Sequence, residues 1–365
     1  MKKVLSMMLV LAFVVSSFAL TVTMVSDTGG LGDKSFNDGT WAGVLRAKDE
    51  LKANVKVLIS KEQTDYVTNL SNAAKESDVV IAVGFMMTSA LFDVAPQFPR
   101  TKFIGIDIAP SQGTTIPSNV ALYLFKEQES AFLVGYLSAS MTKTGKLGFI
   151  GGIEIPPVKR FEFGYRAGIK AYNEIHNKNV EAILGYAGGF GDVAKGKQMA
   201  MAQFAQGADI IFHAAGATGN GAFDAAKEKG LSFYGLDANA TLKDIIDKYY
   251  EKGRGYFAVG VDSDQDYLAP GFGLASAMKR VDTAAFLGIK SSRSARSFKS
   301  GVHTLGLKEN GVDISPMKYT KGMVSNSTFA ELAYLSSLIK QGQVNVPDSE
   351  DGLASFDVTS VKFPF

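Results

Sequence analysis

The sequence predicts an α/β fold of two doubly wound, parallel-sheet lobes, and three observations carry that reading. Short apolar runs rich in β-branched residues alternate with amphipathic helical stretches, the pattern of parallel strands covered by helices on both faces. The series restarts near residue 126. With 365 residues the chain is long enough for two compact units.

In the first series the expected strands are 20–26 (LTVTMVS), 55–60, 78–84, 102–108 and 119–125. In the second they are 145–152, 180–186, 208–216, 232–237 (SFYGLD), 256–262 and 273–279. Helical stretches lie between them, among them 64–77, 129–143, 159–176 and 192–206. Sheets of this kind bind ligands beyond the carboxyl ends of their strands. Seven loops that follow strands are polar and small: 26–30, 84–90, 107–113, 151–157, 188–196, 214–221 and 261–265. If the two sheets face each other, all seven line one cleft, the usual place to enclose a small molecule.

The first nineteen residues, MKKVLSMMLVLAFVVSSFA, combine two lysines, a short apolar run and a small-x-small ending, so residues 1–19 read as a cleavable secretory signal. Taking Lys2 and Lys3 from the 38 basic side chains leaves 36 against 36 acidic ones. A near-neutral chain without a basic stripe is a poor nucleic-acid binder. The chain has no cysteine, which excludes disulfides, thiolate metal sites and a lipid carried on a cysteine. With three histidines and no H-E-x-x-H spacing, no metal site is expected. These features predict a periplasmic or secreted protein, soluble after cleavage, without cofactor and monomeric.

Asp27, Asp107 and Asp262 each close an expected strand, where a carboxylate either accepts from ligand hydroxyl and ring N–H groups or caps the next helix. Phe36 and Phe190 stand in polar loops, one per lobe, placed to stack on a flat ring. Asn37 follows Phe36, and Trp41 is expected at the lobe surface or the cleft rim. Lys279 ends its strand beside an interlobe connection, where it donates to a hydroxyl or pairs with an acid. The run GATGNG, opening at Gly216, has the look of a dinucleotide fingerprint but sits deep in the chain, and its only acidic partner at ribose spacing is Asp237. Its glycines more simply let the backbone approach a ligand. His213 is expected in the core. No catalytic constellation appears, so a nucleotide-dependent oxidoreductase is a remote alternative.

The segments DTGGLGDKSFNDGTWAG (27–43), AAGATGNGAFDAAKEKG (214–230) and VGVDSDQDYLAPGFGLASAMKRVD (259–282) resemble the basic membrane protein family of ABC-transporter substrate-binding proteins, most closely its purine nucleoside receptor branch. The resemblance implies a type I periplasmic-binding-protein fold joined by a multi-strand hinge, with a purine nucleoside in the cleft and an ABC permease in the inner membrane as partner. It assigns base stacking to Phe36 and Phe190. Polar base and ribose contacts fall on Asp27, Asn37, Asp107, Asp262 and Lys279, with Gly216 where backbone approaches the ligand. Another heterocycle or sugar, such as riboflavin or ribose, is the alternative ligand. Lobe I is expected to take 20–125 plus 280–305, and lobe II 126–279 plus 306–365. Family members are commonly lipoproteins, which this cysteine-free chain does not match. It also carries an additional segment at 232–255, read as an extra strand–helix unit, whose Asp237 competes with Asp262 for the ligand-facing role.

Overall fold

A computed structural model of the protein describes residues 19–364. The expected leader therefore lies outside the described residues, apart from Ala19.

The chain first lays down β1 (Thr21–Ser26), α1 (Phe36–Leu51), β2 (Asn54–Ile59), α2 (Asp65–Glu76), β3 (Val79–Val83), α3 (Thr88–Val94), β4 (Lys102–Ile106) and β5 (Val120–Phe125). It then enters the second lobe through α4 (Glu127–Met141), β6 (Lys146–Gly151), α5 (Pro156–His176), β7 (Glu181–Tyr186), α6 (Val193–Ala205), β8 (Ile210–Ala214), α7 (Gly216–Tyr234), α8 (Leu242–Lys252), β9 (Phe257–Asp262) and β10 (Gly273–Lys279). It returns with α9 (Val281–Ser291) and β11 (Gly301–Leu305), and crosses a last time into β12 (Val312–Ile314), α10 (Asn326–Lys340) and α11 (Glu350–Ser355). The two sheets have matching orders, β11-β5-β4-β3-β1-β2 and β12-β10-β9-β8-β6-β7. All pairs are parallel except β10 with β12.

Strand alternation divides the apolar residues between the two faces of the first sheet. Val80, Ala82 and Phe103 join the cluster under α2 and α3, whereas Val79, Ile81 and Ile104 join the larger core with Val44 and Ala47 of α1. Burial on both faces explains why these strands read as continuous apolar runs. Helix α4 is buried around nearly its whole circumference because α5, α10, β10 and β12 surround it.

The chain passes between the lobes at β5–α4, β10–α9 and β11–β12, and the crossings are tied together. Lys126 N donates to Leu305 O, Leu307 N to a Glu129 carboxylate oxygen at 2.6 Å, and Arg280 N to Gly311 O.

Two expectations need correcting. SFYGLD is not a strand: residues 232–234 complete α7, where Tyr234 is buried against Phe272, and Gly235, at a φ of 67°, ends the helix with its N–H on Leu231 and Ser232 carbonyls. The segment 232–255 thus adds a helix, α8, started by a Thr241–Asp244 capping box, and no strand. The short strands β11 and β12 went unread, because GVHTL and VDI are too brief and too polar to stand out.

Candidate functional site

Between the lobes lies a cavity lined by residues of both, the kind of interlobe cleft in which small molecules bind. Each of the seven loops contributes to its wall, and all eight singled-out residues line it: Asp27, Phe36, Asn37, Asp107, Phe190, Gly216, Asp262 and Lys279. Asp237 does not; it is exposed in a turn, where its carboxylate accepts from Asn239 N.

The first loop is organised by its own carboxylates. Asp33 accepts from the N–H groups of Ser35, Asn37 and Asp38, which start α1, and Asp38 accepts from those of Gly32 and Lys34. This nest places Phe36 and Asn37 in the first turn of the helix, at the cavity wall. The Asn37 amide donates to Asp27 Oδ1 at 2.9 Å and to Asp33 Oδ2 at 3.2 Å. Both bonds fix the amide orientation and leave Asn37 Oδ1 buried without a partner. Burial pushes the Asp27 carboxyl up to about 6, against the lowering effect of its hydrogen bonds from Asn37 and Gly29.

Asp107 and Asp262 occupy equivalent places in the two sheets, at the ends of β4 and β9. Both adopt the left-handed conformation, with φ of 58° and 62°, an arrangement uncommon outside glycine and concentrated at functional sites. Each is held by a donor from the opposite lobe. Lys279 Nζ donates to Asp107 Oδ2 at 2.6 Å, and Ser35 Oγ to Asp262 Oδ2 at 2.7 Å. Of the other two oxygens, Asp262 Oδ1 faces the Lys279 ammonium at 3.3 Å, and Asp107 Oδ1 is buried without a partner.

Lys279 is 3 % exposed and sits 2.6 Å from Asp107, 3.3 Å from Asp262 and 3.9 Å from Glu127. Burial alone disfavours its charge, but Asp107, Asp262 and Glu127 outweigh that and raise its pKa, so the ammonium is retained. Glu127 is itself held from behind by both Arg160 Nε and Nη2, at 2.6 and 3.2 Å. The Lys279 ammonium also lies 4.6 Å from the centre of the Phe36 ring, so one face of that ring is taken.

Phe190 comes from the opposite lobe, in the loop between β7 and α6. Its carbonyl accepts from Thr218 N, and a side chain at Gly152 would press on its ring. Gly216 has a φ of 53° and opens α7 at the cavity. His213 lies behind this loop, fully buried and edge-on to Phe223; burial holds its pKa down to about 4, so the ring is neutral. Trp41 is half-buried and does not line the cavity.

The apolar wall was largely missed. Ile155, Pro157, Val158 and Phe161 reach the cavity from the start of α5, with Phe85 and Met86 opposite. The loops 151–157 and 84–90 were marked by position, but their apolar residues read as core. Among the described residues no cluster of acids and histidines is arranged to hold a metal ion.

A model of the PnrA-like ABC transporter substrate-binding proteins matches residues 20–350. The chain belongs to this family. Family membership makes it an extracytoplasmic binding protein rather than an enzyme, one that takes a ligand and serves an ABC permease. It is 36 % identical to an uncharacterised lipoprotein of Pyrococcus horikoshii over 80 % of this chain and 68 % of the relative. It is 33 % identical to basic membrane protein A of Borreliella burgdorferi, covering 92 % and 90 % of the two chains. A solved ABC transporter solute-binding protein from Aeropyrum pernix superposes with a TM-score of 0.77 at 29 % identity, over 92 % of this chain and 96 % of that one. The family's two-lobed fold is the one described above. No helix among the described residues is long and apolar enough to cross a membrane.

Proposed function

We propose that the cavity encloses a purine nucleoside and that the closed protein delivers it to a permease in the inner membrane. The observation that carries this reading is a pair of buried acceptors without partners, Asn37 Oδ1 and Asp107 Oδ1, beside aromatic surfaces on Phe36 and Phe190. Buried acceptors without partners are costly, so the complementary ligand brings donors. A purine nucleoside combines ring N–H groups and ribose hydroxyls with a flat ring that stacks. The negative excess around Lys279 also disfavours a phosphorylated ligand.

The lobes, taken as 20–125 plus 280–305 and 126–279 plus 306–365, act as the two jaws. A ligand touching both gains more from the closed form than from the open one, which is what drives closure. We assign the protein to the periplasm as a monomer, released by cleavage after residue 19.

Calorimetric titration with guanosine, inosine, adenosine, uridine, ribose and riboflavin tests the ligand class. Binding of one or more purine nucleosides, tighter than that of ribose and riboflavin, is expected. Silence with every purine nucleoside together with tight binding of ribose or riboflavin would overturn it.

A further inference from the structure

The end of the first lobe farthest from the cavity has an unusual charge. From Thr283 to Lys308 the chain contains no Asp or Glu. Within that stretch Lys290, Arg293, Arg296 and Lys299 are all exposed, and none makes an ion pair among the described residues. The segment is tied to the sheet through Phe298, whose buried ring carries the Lys102 ammonium 4.7 Å from its centre. Arg100, also exposed, lies two residues before Lys102.

Topology puts these charges on one pole. All strands of the first sheet run parallel, so the starts of β4 and β11 share an edge, opposite the edge that faces the cavity. β1 begins on this edge too, so the chain preceding Thr21 enters the fold here. Acids near this pole are largely engaged. Glu76 pairs with Lys56, Glu50 with Arg46, and Asp78 accepts from the backbone N and hydroxyl of Thr21. Helix α8 provides the contrast, since Lys243, Lys248 and Lys252 each have an acid within 4.0 Å.

We propose that this basic pole docks on a membrane bearing anionic lipid headgroups. A cluster of unpaired Lys and Arg is attracted to such a surface cumulatively, residue by residue, within a Debye length. The relative from Pyrococcus horikoshii is named a lipoprotein, whereas this chain has no cysteine to carry a thioether-linked lipid. Docking by charge holds the protein at the membrane reversibly, by the pole where its chain enters, and leaves the cavity facing away. The inference does not depend on which ligand the cavity takes.

Co-sedimentation of the exported protein with vesicles tests this. One set contains phosphatidylcholine alone, the other about one third phosphatidylglycerol, each at low salt and at about 0.5 M salt. Binding to the anionic vesicles at low salt is expected, falling at least about tenfold in high salt and at least about tenfold in the variant Lys290→Gln/Arg293→Gln/Arg296→Gln/Lys299→Gln. The variant Lys243→Gln/Lys248→Gln/Lys252→Gln is expected to bind as the parent does. Equal binding to neutral vesicles, insensitivity to salt, or unchanged binding by the first variant would each overturn the proposal. Displacement by soluble glycerol phosphate at matched phosphate concentration would overturn it too, by assigning the pole to free anions.

Discussion

The two lobes share a strand order and a left-handed aspartate at the end of the matching strand, yet their cavity walls differ in chemistry. The first lobe presents Asp27, Asn37 and Asp107, on loops organised by carboxylate and amide hydrogen bonds, beside Phe36, Phe85 and Met86. The second adds Ile155, Val158, Phe161 and Phe190, an apolar face broken mainly by Asp262 and Lys279. One scaffold therefore gives a mixed polar and aromatic jaw and a mostly apolar one, because the loops rather than the sheets determine what a lobe offers. The ligand that suits both is flat and apolar on its faces and rich in donors at its edges.

Removing the charge that both lobes share breaks this comparison most severely. Lys279→Met leaves Asp107, Asp262 and Glu127 without their common cation and is expected to destabilise the fold by about 3–5 kcal/mol, read from urea unfolding. A loss below about 1 kcal/mol would show that solvent or protonation already neutralises the cluster.

The equivalent aspartates sharpen the comparison. Asp107→Asn and Asp262→Asn are each expected to weaken nucleoside binding by about 1.5–3 kcal/mol, the worth of a hydrogen bond to a charged group. Calorimetry showing a loss in only one of them would mean that the matching geometry serves the fold in the other. The aromatics separate the jaws further. Phe190→Ala is expected to cost about 1–3 kcal/mol in affinity and Phe36→Ala less, because Lys279 already covers one face of the Phe36 ring. The reverse order would contradict that arrangement.

The smallest effect is on pH. Asp27 accepts on both oxygens only when ionised, and burial sets its carboxyl at about 6 in the free protein. Acidification from pH 7 to 5 is expected to lower affinity about tenfold, and Asp27→Asn to abolish that slope. The same shift acts oppositely on folding. A carboxyl raised above its unfolded value of 3.8 costs stability above about pH 6, and that cost is relieved as pH falls from 6 towards 4. At Asp27, then, acid weakens binding while it relieves the cost of burying the carboxylate.

Much of this was legible in the sequence for a physical reason. Strands buried on both faces leave uninterrupted apolar runs, and the loops that follow them must reach the cavity, so Asp27, Asp107 and Asp262 were found by position alone. Motif likeness added Gly216 and sharpened the choice of Phe36 and Phe190 among 25 phenylalanines. The apolar wall from α5 was hidden because Val158 and Phe161 also fit a core-facing helical stripe. The bracing of Lys279 by Glu127 and Arg160 depends on pairs 33 to 152 residues apart, which no local pattern records. SFYGLD misled because its aromatics are strand-like, while tertiary packing of Tyr234 kept it helical.

A crystal structure of the protein with guanosine tests the central claim most directly. The account predicts the base between Phe36 and Phe190, with ligand donors within about 3.2 Å of Asp107 Oδ1 and Asp262 Oδ1, so that each lobe holds one edge of the ligand. Guanosine bound to one lobe alone, or with neither of those oxygens accepting from it, would contradict it.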